Sequence, residues 1–124
     1  MDLESVKKAE GGCIRALLGY QLLNMSDEDL VLLIRKDSFK SSLNVLRSEG
    51  WDTIDAIYAS DINEHTGKIL IVYRLCSNWR IHKTLGIQVY VSYKSPWLSA
   101  SDIFPDADRF ERTLSEEYQL KFVS

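Results

Sequence analysis

The two histidines are the residues of this chain that most readily suggest chemistry. His65 follows Asp61 in the polar segment Asp61-Ile-Asn-Glu-His-Thr-Gly67, which is rich in turn-forming residues. An aspartate and a histidine four residues apart can form an acid–base pair or supply two ligands to a metal ion. His82 has no cysteine or second histidine at ligand spacing, and a metal site needs three or four converging ligands. We therefore favour a polar hairpin loop and keep a small enzyme with an Asp61–His65 site as an alternative.

Cysteine and glycine patterns add no catalytic or phosphate-binding motif. Cys13 and Cys76 lie far apart in the sequence, which is typical of two ordinary thiols in a reducing compartment. Gly11-Gly12 follows no clear strand, so it indicates a turn rather than a phosphate-binding loop. The sequence contains no nucleophile-elbow motif, dinucleotide fingerprint or P-loop.

A second charged pair, Glu111 and Arg112, lies in a segment with strong helical signals. Asp102 or Ser99 can cap this helix, and Pro105 suits its first position, where a missing N–H costs nothing. One apolar stripe recurs at steps of three, four and four residues: Ala107, Phe110, Leu114 and Tyr118. Glu111 and Arg112 project beside that stripe, where charges are usually solvated. The pattern alone predicts an amphipathic helix.

Composition limits the classes of protein to consider. A length of 124 residues is suited to a single domain over 1–124. The hydrophobic and charged fractions, 45% and 27%, are typical of a globular protein. The net charge is −3 and the basic residues are scattered, so we expect no nucleic-acid partner. The apolar runs are too short to span a bilayer, and the acidic start, with Asp2 and Glu4, is unlike a signal peptide.

An α+β fold is predicted to position these residues. Two principal helices are expected, at about 38–49 and 105–118, and the first carries Phe39, Leu43 and Leu46 on one face, with Lys40 outward, before it ends at Gly50. Strands are predicted at 14–23 (ambiguous with helix), 30–34, 51–60, 68–76 and 83–93, and a weakly helical piece at 3–10. Alternating apolar residues in the last strand favour an antiparallel sheet with one buried face. We therefore predict a mainly antiparallel sheet of about four to five strands with both helices packed on it.

From about Leu30 onward, the order of these segments carries a family resemblance. After a helix comes a strand that ends in an aspartate, Ile54-Asp-Ala-Ile-Tyr-Ala-Ser-Asp61, and then a strand that ends in Tyr73-Arg-Leu75. An alternating strand leads to Asp102-Ile-Phe-Pro-Asp-Ala107 and Phe110-Glu-Arg112, and less faithfully to Glu116-Glu-Tyr-Gln-Leu-Lys-Phe122. In this order and spacing the chain resembles the 30-kilodalton subunit family of respiratory complex I, the NADH dehydrogenase. That family has relatives in energy-converting, membrane-bound nickel–iron hydrogenases.

Departures from the family pattern favour one of its branches. Thr113 stands where the family usually repeats Glu, and Gln119 replaces an expected Gly. The proline- and arginine-bearing tail that usually follows is absent from this sequence. In complex I that tail wraps around the neighbouring large subunit, so we expect the short form that accompanies a hydrogenase-type large subunit.

The resemblance implies assembly rather than catalysis. Such a subunit docks on the hydrogenase large subunit, or on the 49-kilodalton subunit of complex I, at the cytoplasmic face of the membrane. It is implied to bind no cofactor itself, while the parent complex carries nickel–iron and iron–sulfur centres and passes electrons from reduced ferredoxin to protons, coupled to ion translocation. The alternatives are the equivalent subunit of complex I or formate hydrogenlyase, and an unrelated α+β interaction protein.

The resemblance also suggests where the partner docks. The predicted interface residues are Asp61, Phe110, Glu111, Arg112 and Tyr118. Glu111 and Arg112 are expected to form charge-assisted bonds at that interface, where burial is costly unless both are paired. The alternative, equally open, is that the two residues pair within the domain and clasp the helix to the sheet.

Overall fold

One five-stranded sheet organises the chain. The computed structural model describes residues 20–25, 29–60, 62–77 and 84–123. The strands are β1 (Tyr20–Met25), β2 (Asp29–Ile34), β3 (Thr53–Ala59), β4 (Lys68–Cys76) and β5 (Thr84–Ser92), in the spatial order β1-β2-β5-β4-β3. A 3₁₀ turn at Lys36–Ser38 leads into helix α1 (Phe39–Ser48), and helix α2 spans Ala107–Tyr118. Two short strands, β6 (Trp97–Leu98) and β7 (Phe122–Val123), pair in parallel.

The sheet is mixed but mostly antiparallel. β1 pairs antiparallel with β2, and β4 pairs antiparallel with both β3 and β5, whereas β2 and β5 run parallel. The predicted α+β class is therefore confirmed, and β4 has the predicted bounds and lies between two strands. The parallel pair was not predicted, because alternation within a strand does not reveal its neighbours. The last part of the strand predicted at 14–23 is confirmed, because it overlaps β1. Residues 14–19 and the predicted helix at 3–10 lie outside the described residues.

Helix α1 forms and ends as its sequence predicts. Its apolar face is buried, with Phe39, Leu43 and Leu46 each fully inaccessible to solvent. Gly50 adopts a left-handed conformation with φ 99°, which only glycine reaches without steric cost. The N–H of Trp51 then bonds to the Leu46 carbonyl at 3.1 Å, so the last turn is closed by a Schellman motif.

Both described helices pack on the same face of the sheet. Phe39 of α1 lies 5.0 Å from the Tyr73 ring and 4.9 Å from the Trp97 ring, measured between centroids. The Trp97 indole N–H donates to the Tyr73 hydroxyl at 2.9 Å, so two buried polar groups satisfy each other. We call the opposite side of the sheet the open face; it carries Val31, Tyr58, Leu70, Val72, Arg74, Gly86, Gln88 and Tyr90.

Helix α2 begins later than predicted. Pro105 and Asp106 lie in a turn, and the helix begins at Ala107 rather than at about residue 105. Neither Asp102 nor Ser99 caps it, because both have other partners. Phe104, only 1% exposed, draws the chain into the core just before the helix, so the preceding residues turn instead of extending the helix.

Candidate interface around the C-terminal helix

Glu111 is the most constrained charged side chain of α2. It is 4% exposed, and its carboxylate accepts a bond from the Ser99 hydroxyl at 2.6 Å and one from the Ala100 N–H at 2.8 Å. Burial raises the pKa of the Glu111 carboxyl, and the two hydrogen bonds oppose that rise. The expectation of a solvated side chain is therefore wrong for Glu111, because the residue lies one helical turn after the buried Ala107 and faces the same way.

The loop of residues 99–102, which follows β6, is held by α2 on one side and by α1 on the other. The single proton of the Ser99 hydroxyl is donated to Glu111, and the same oxygen accepts the Ser101 N–H at 3.1 Å. From α1, the Lys40 ammonium donates to the Ser99 carbonyl at 2.6 Å and to Asp102 at 2.5 Å, which lowers the pKa of the Asp102 carboxyl. Lys40, predicted to point outward, instead lies half-buried against this loop. The network links α1, α2 and the loop, and makes the loop a fixed part of the surface beside α2.

Arg112 lies in a different environment from Glu111. Its guanidinium is exposed and donates to Asp108, one turn earlier on α2. Such exposed pairs contribute little to stability because water screens them. A shallow pocket of about 270 Å³ separates this pair from the buried carboxylate, with Ser101 and Ser115 in its lining. Glu111 thus binds the loop within the domain, while Arg112 presents its charge at the surface.

Two of the other predicted interface residues lie on α2. Phe110 is half-buried, and the Arg109 guanidinium lies 4.7 Å from the centroid of its ring. Tyr118 is half-buried at the far end of the helix, where its hydroxyl donates to the Ala59 carbonyl at 3.1 Å. Asp61 lies outside the described residues. Phe110, Glu111 and Arg112 therefore lie next to one another on α2. Whether they contact a partner is not tested by these contacts, so the interface stays a prediction.

Of the two residues of the alternative Asp61–His65 site, the structure describes only His65. His65 is exposed in the turn between β3 and β4, where its backbone N–H donates to the Asn63 side chain at 3.0 Å. Among the described residues, no group of three or more His, Cys, Asp or Glu side chains could hold a metal ion.

Burial raises the pKa of the Cys76 thiol to about 11, so that thiol is protonated at neutral pH. None of the helices in the described part of the chain has the length and apolar character needed to cross a membrane.

Comparison with known proteins decides the family. The family model described as "Respiratory-chain NADH dehydrogenase, 30 Kd subunit" matches residues 32–124. The chain belongs to this family. As a complex I 30-kilodalton-type chain it is a component of a respiratory membrane complex, and the resemblance seen in its motifs is confirmed.

Solved structures share the fold of this 30-kilodalton-type chain. One is a chain of the membrane-bound sulfane sulfur reductase, an archaeal respiratory membrane complex, with a TM-score of 0.80 and 18% identity over 96% of this chain and 68% of that one. Another is the trypsin-resistant fragment (1–134) of Nqo5, with a TM-score of 0.73 and 19% identity over 98% of this chain and 96% of that one. No curated protein sequence matches the chain. At these identities the structural likeness shows a common fold.

Proposed function

We propose that this chain is a non-catalytic structural subunit that docks on the large subunit of its respiratory complex and holds no cofactor of its own. The observation that carries this proposal is the family match over residues 32–124, which includes the whole surface around α2. That surface offers a side chain suited to recognition, Arg112, beside a loop that is already ordered. An ordered surface binds more tightly than a mobile one because less conformational entropy is lost on association.

Within this proposal, Glu111 and Arg112 have different roles. Glu111 holds the 99–102 loop in place through Ser99 and Ala100. Arg112 can exchange Asp108 for a carboxylate of the large subunit, since its present ion pair is exposed and weak. Arginine and aromatic side chains are enriched among residues that dominate binding energy, which favours Arg112 with Phe110 and Tyr118 as contacts. Asp61 remains part of the predicted interface.

The specific complex we propose is an energy-converting nickel–iron hydrogenase, with the subunit on the cytoplasmic face of the membrane. Support for this branch comes from the departures from the family pattern at Thr113 and Gln119. A sulfur-reducing complex is a second candidate, favoured by the fold shared with the sulfane sulfur reductase chain. Complex I and formate hydrogenlyase remain the further alternatives.

Deletion and complementation test the structural role. Membranes from a strain that lacks this chain should contain unassembled large subunit, and the wild-type gene should restore assembly. Restored membranes should evolve hydrogen with reduced ferredoxin; activity with NADH and quinone, or with sulfane sulfur, would assign the chain to another branch. Assembly that proceeds normally without the chain would refute the structural role.

A matched pair of substitutions tests the proposed contact. Arg112→Ala removes the exposed guanidinium beside the ordered loop, while Arg109→Ala removes one that lies over the Phe110 ring. We expect the first to weaken retention in the complex and the second to change it little. A double-mutant cycle between Arg112 and acidic residues of the large subunit should give a coupling energy of about 1 kcal/mol or more. A coupling of zero would remove Arg112 from the interface.

A further inference from the structure

Glu111 can change its protonation state without breaking the hydrogen-bond network around it. When the carboxylate is ionised, the Ser99 hydroxyl donates to one oxygen at 2.6 Å and the Ala100 N–H donates to the other at 2.8 Å. The Ser101 hydroxyl lies 2.8 Å from the Ser99 hydroxyl, and either oxygen can donate to the other. When the carboxyl is protonated, it can donate to Ser99, and Ser99 can then donate to Ser101. The hydroxyl groups only have to rotate, so both states keep the loop in place.

These hydroxyl groups connect the buried carboxyl with the pocket beside α2. That pocket encloses about 270 Å³, and its lining includes Ser101, Asp108 and Arg112 as well as Glu111. A proton from the solvent can therefore pass through Ser101 and Ser99 to the carboxylate. The step is a protonation alone, in which an O–H bond forms on Glu111 and the hydrogen bonds between the hydroxyl groups reverse their direction.

The charged groups around Glu111 make its protonation sensitive to what covers this pocket. Burial raises the pKa of the Glu111 carboxyl, its hydrogen bonds oppose that rise, and the Asp108 carboxylate adds to it. Lys40 opposes the rise from the α1 side of the loop, where its ion pair with Asp102 holds it. On the side of the sheet, Tyr73 of β4 stays neutral because burial raises the pKa of its hydroxyl. Of the two neighbouring charges, only Asp108 lies in the pocket.

We propose that docking of the large subunit against α2 is coupled to the uptake of a proton by Glu111, so that the contact tightens as the pH falls. This inference rests on the proposed function, because it requires a partner that covers the pocket beside Arg112. A partner surface removes water from the pocket, which favours the neutral carboxylic acid over the carboxylate. When Arg112 turns to a carboxylate of the partner, Asp108 loses its counter-charge and repels ionised Glu111 more strongly. Both consequences of docking therefore favour protonation.

Release of the chain from the native complex tests this coupling. The detergent-solubilised complex is captured through a tag on its large subunit, and loss of the chain into buffer is followed from about pH 5.5 to about pH 8. Glu111→Gln stays neutral at every pH, and Glu116→Gln, exposed on the same helix, is the matched control. The release rate of wild type relative to Glu111→Gln should rise by about threefold or more from the lowest pH to the highest. The release rate of wild type relative to Glu116→Gln should stay constant.

Infrared spectroscopy of the wild-type chain gives a second measurement that needs no variant. With isotope-labelled glutamate in this chain alone, the carbonyl band of the buried carboxylic acid is followed against pH in the free chain and in the complex. The midpoint of its titration should lie at higher pH in the complex. A constant release ratio between wild type and Glu111→Gln, or an unchanged midpoint, would overturn the inference and leave the proposed function intact. Both would result if another part of the chain already covered the pocket. A chain that is not retained by the large subunit at any pH would overturn the proposed function as well.

Discussion

Two replacements of Glu111 distinguish the contribution of its hydrogen bonds to stability from the contribution of its charge. In Glu111→Leu, the buried N–H of Ala100 loses its acceptor, which costs about 1–3 kcal/mol. The Ser99 hydroxyl can turn towards Ser101, 2.8 Å away, so its loss is smaller. We expect a total destabilisation of about 2 kcal/mol. In Glu111→Gln, the amide oxygen can accept from Ala100 while the amide N–H donates to Ser99, so the change should stay within about 1 kcal/mol.

The pH dependence provides an independent check on this carboxyl. Its pKa in the folded chain lies above the ordinary value of 4.5, so between these two values the folded state binds more protons than the unfolded state. Stability from Glu111 is therefore greatest below the unfolded pKa, falls as the pH rises through the folded pKa, and is constant above it. The glutamine side chain does not titrate, so its contribution to stability does not change with pH. Wild type should therefore lose stability relative to Glu111→Gln as the pH rises above about 4.5.

Urea unfolding followed by tryptophan fluorescence, from about pH 4 to about pH 8, measures both effects. A Glu111→Leu variant that is no less stable than Glu111→Gln would refute the role of the two hydrogen bonds. A wild type that gains stability over the glutamine variant as the pH rises would refute the raised pKa of Glu111.

Three further substitutions test other parts of the structure by the same unfolding assay. Tyr73→Phe removes the buried acceptor of the Trp97 indole N–H and should cost about 1–3 kcal/mol; no loss would show that this bond is not formed. Gln119 ends α2 with a left-handed φ of 57°, so Gln119→Gly should stabilise the chain by about 0.5–1 kcal/mol, and a loss of stability would contradict that backbone conformation. Arg74→Met breaks the half-exposed pair with Asp55 and should cost less than about 1 kcal/mol; because Arg74 lowers the pKa of Asp55, the cost should be present at neutral pH and vanish as the pH falls through that lowered pKa.

Local patterns were enough to predict most of the sheet. The bounds of β4 were predicted from its apolar run, and the alternation in β5 correctly indicated one buried face. The helix that begins at Phe39 was predicted from its apolar face and from Gly50. These features depend on period and on turn chemistry, both of which are visible within about ten residues of sequence.

Contacts between distant segments could not be predicted in the same way. The parallel pairing of β2 with β5 joins strands separated by two other strands in the sequence, and no local pattern specifies it. Glu111 is buried because Ser99 and Ala100 supply donors from a loop outside the helix. A sequence signal was nevertheless present, since Ala107, Glu111 and Leu114 follow the helical spacing of a buried face. The charge of Glu111 instead led to the prediction of a solvated side chain.

The make-up of the native complex tests the central claim most directly. Chromosomally tagged chain is isolated from detergent-solubilised membranes, and its partners are identified and quantified by mass spectrometry. We expect a fixed stoichiometry with a nickel–iron-type or 49-kilodalton-type large subunit and with iron–sulfur subunits. Recovery of the chain without a large subunit, from membranes in which the assembled complex is otherwise present, would contradict it.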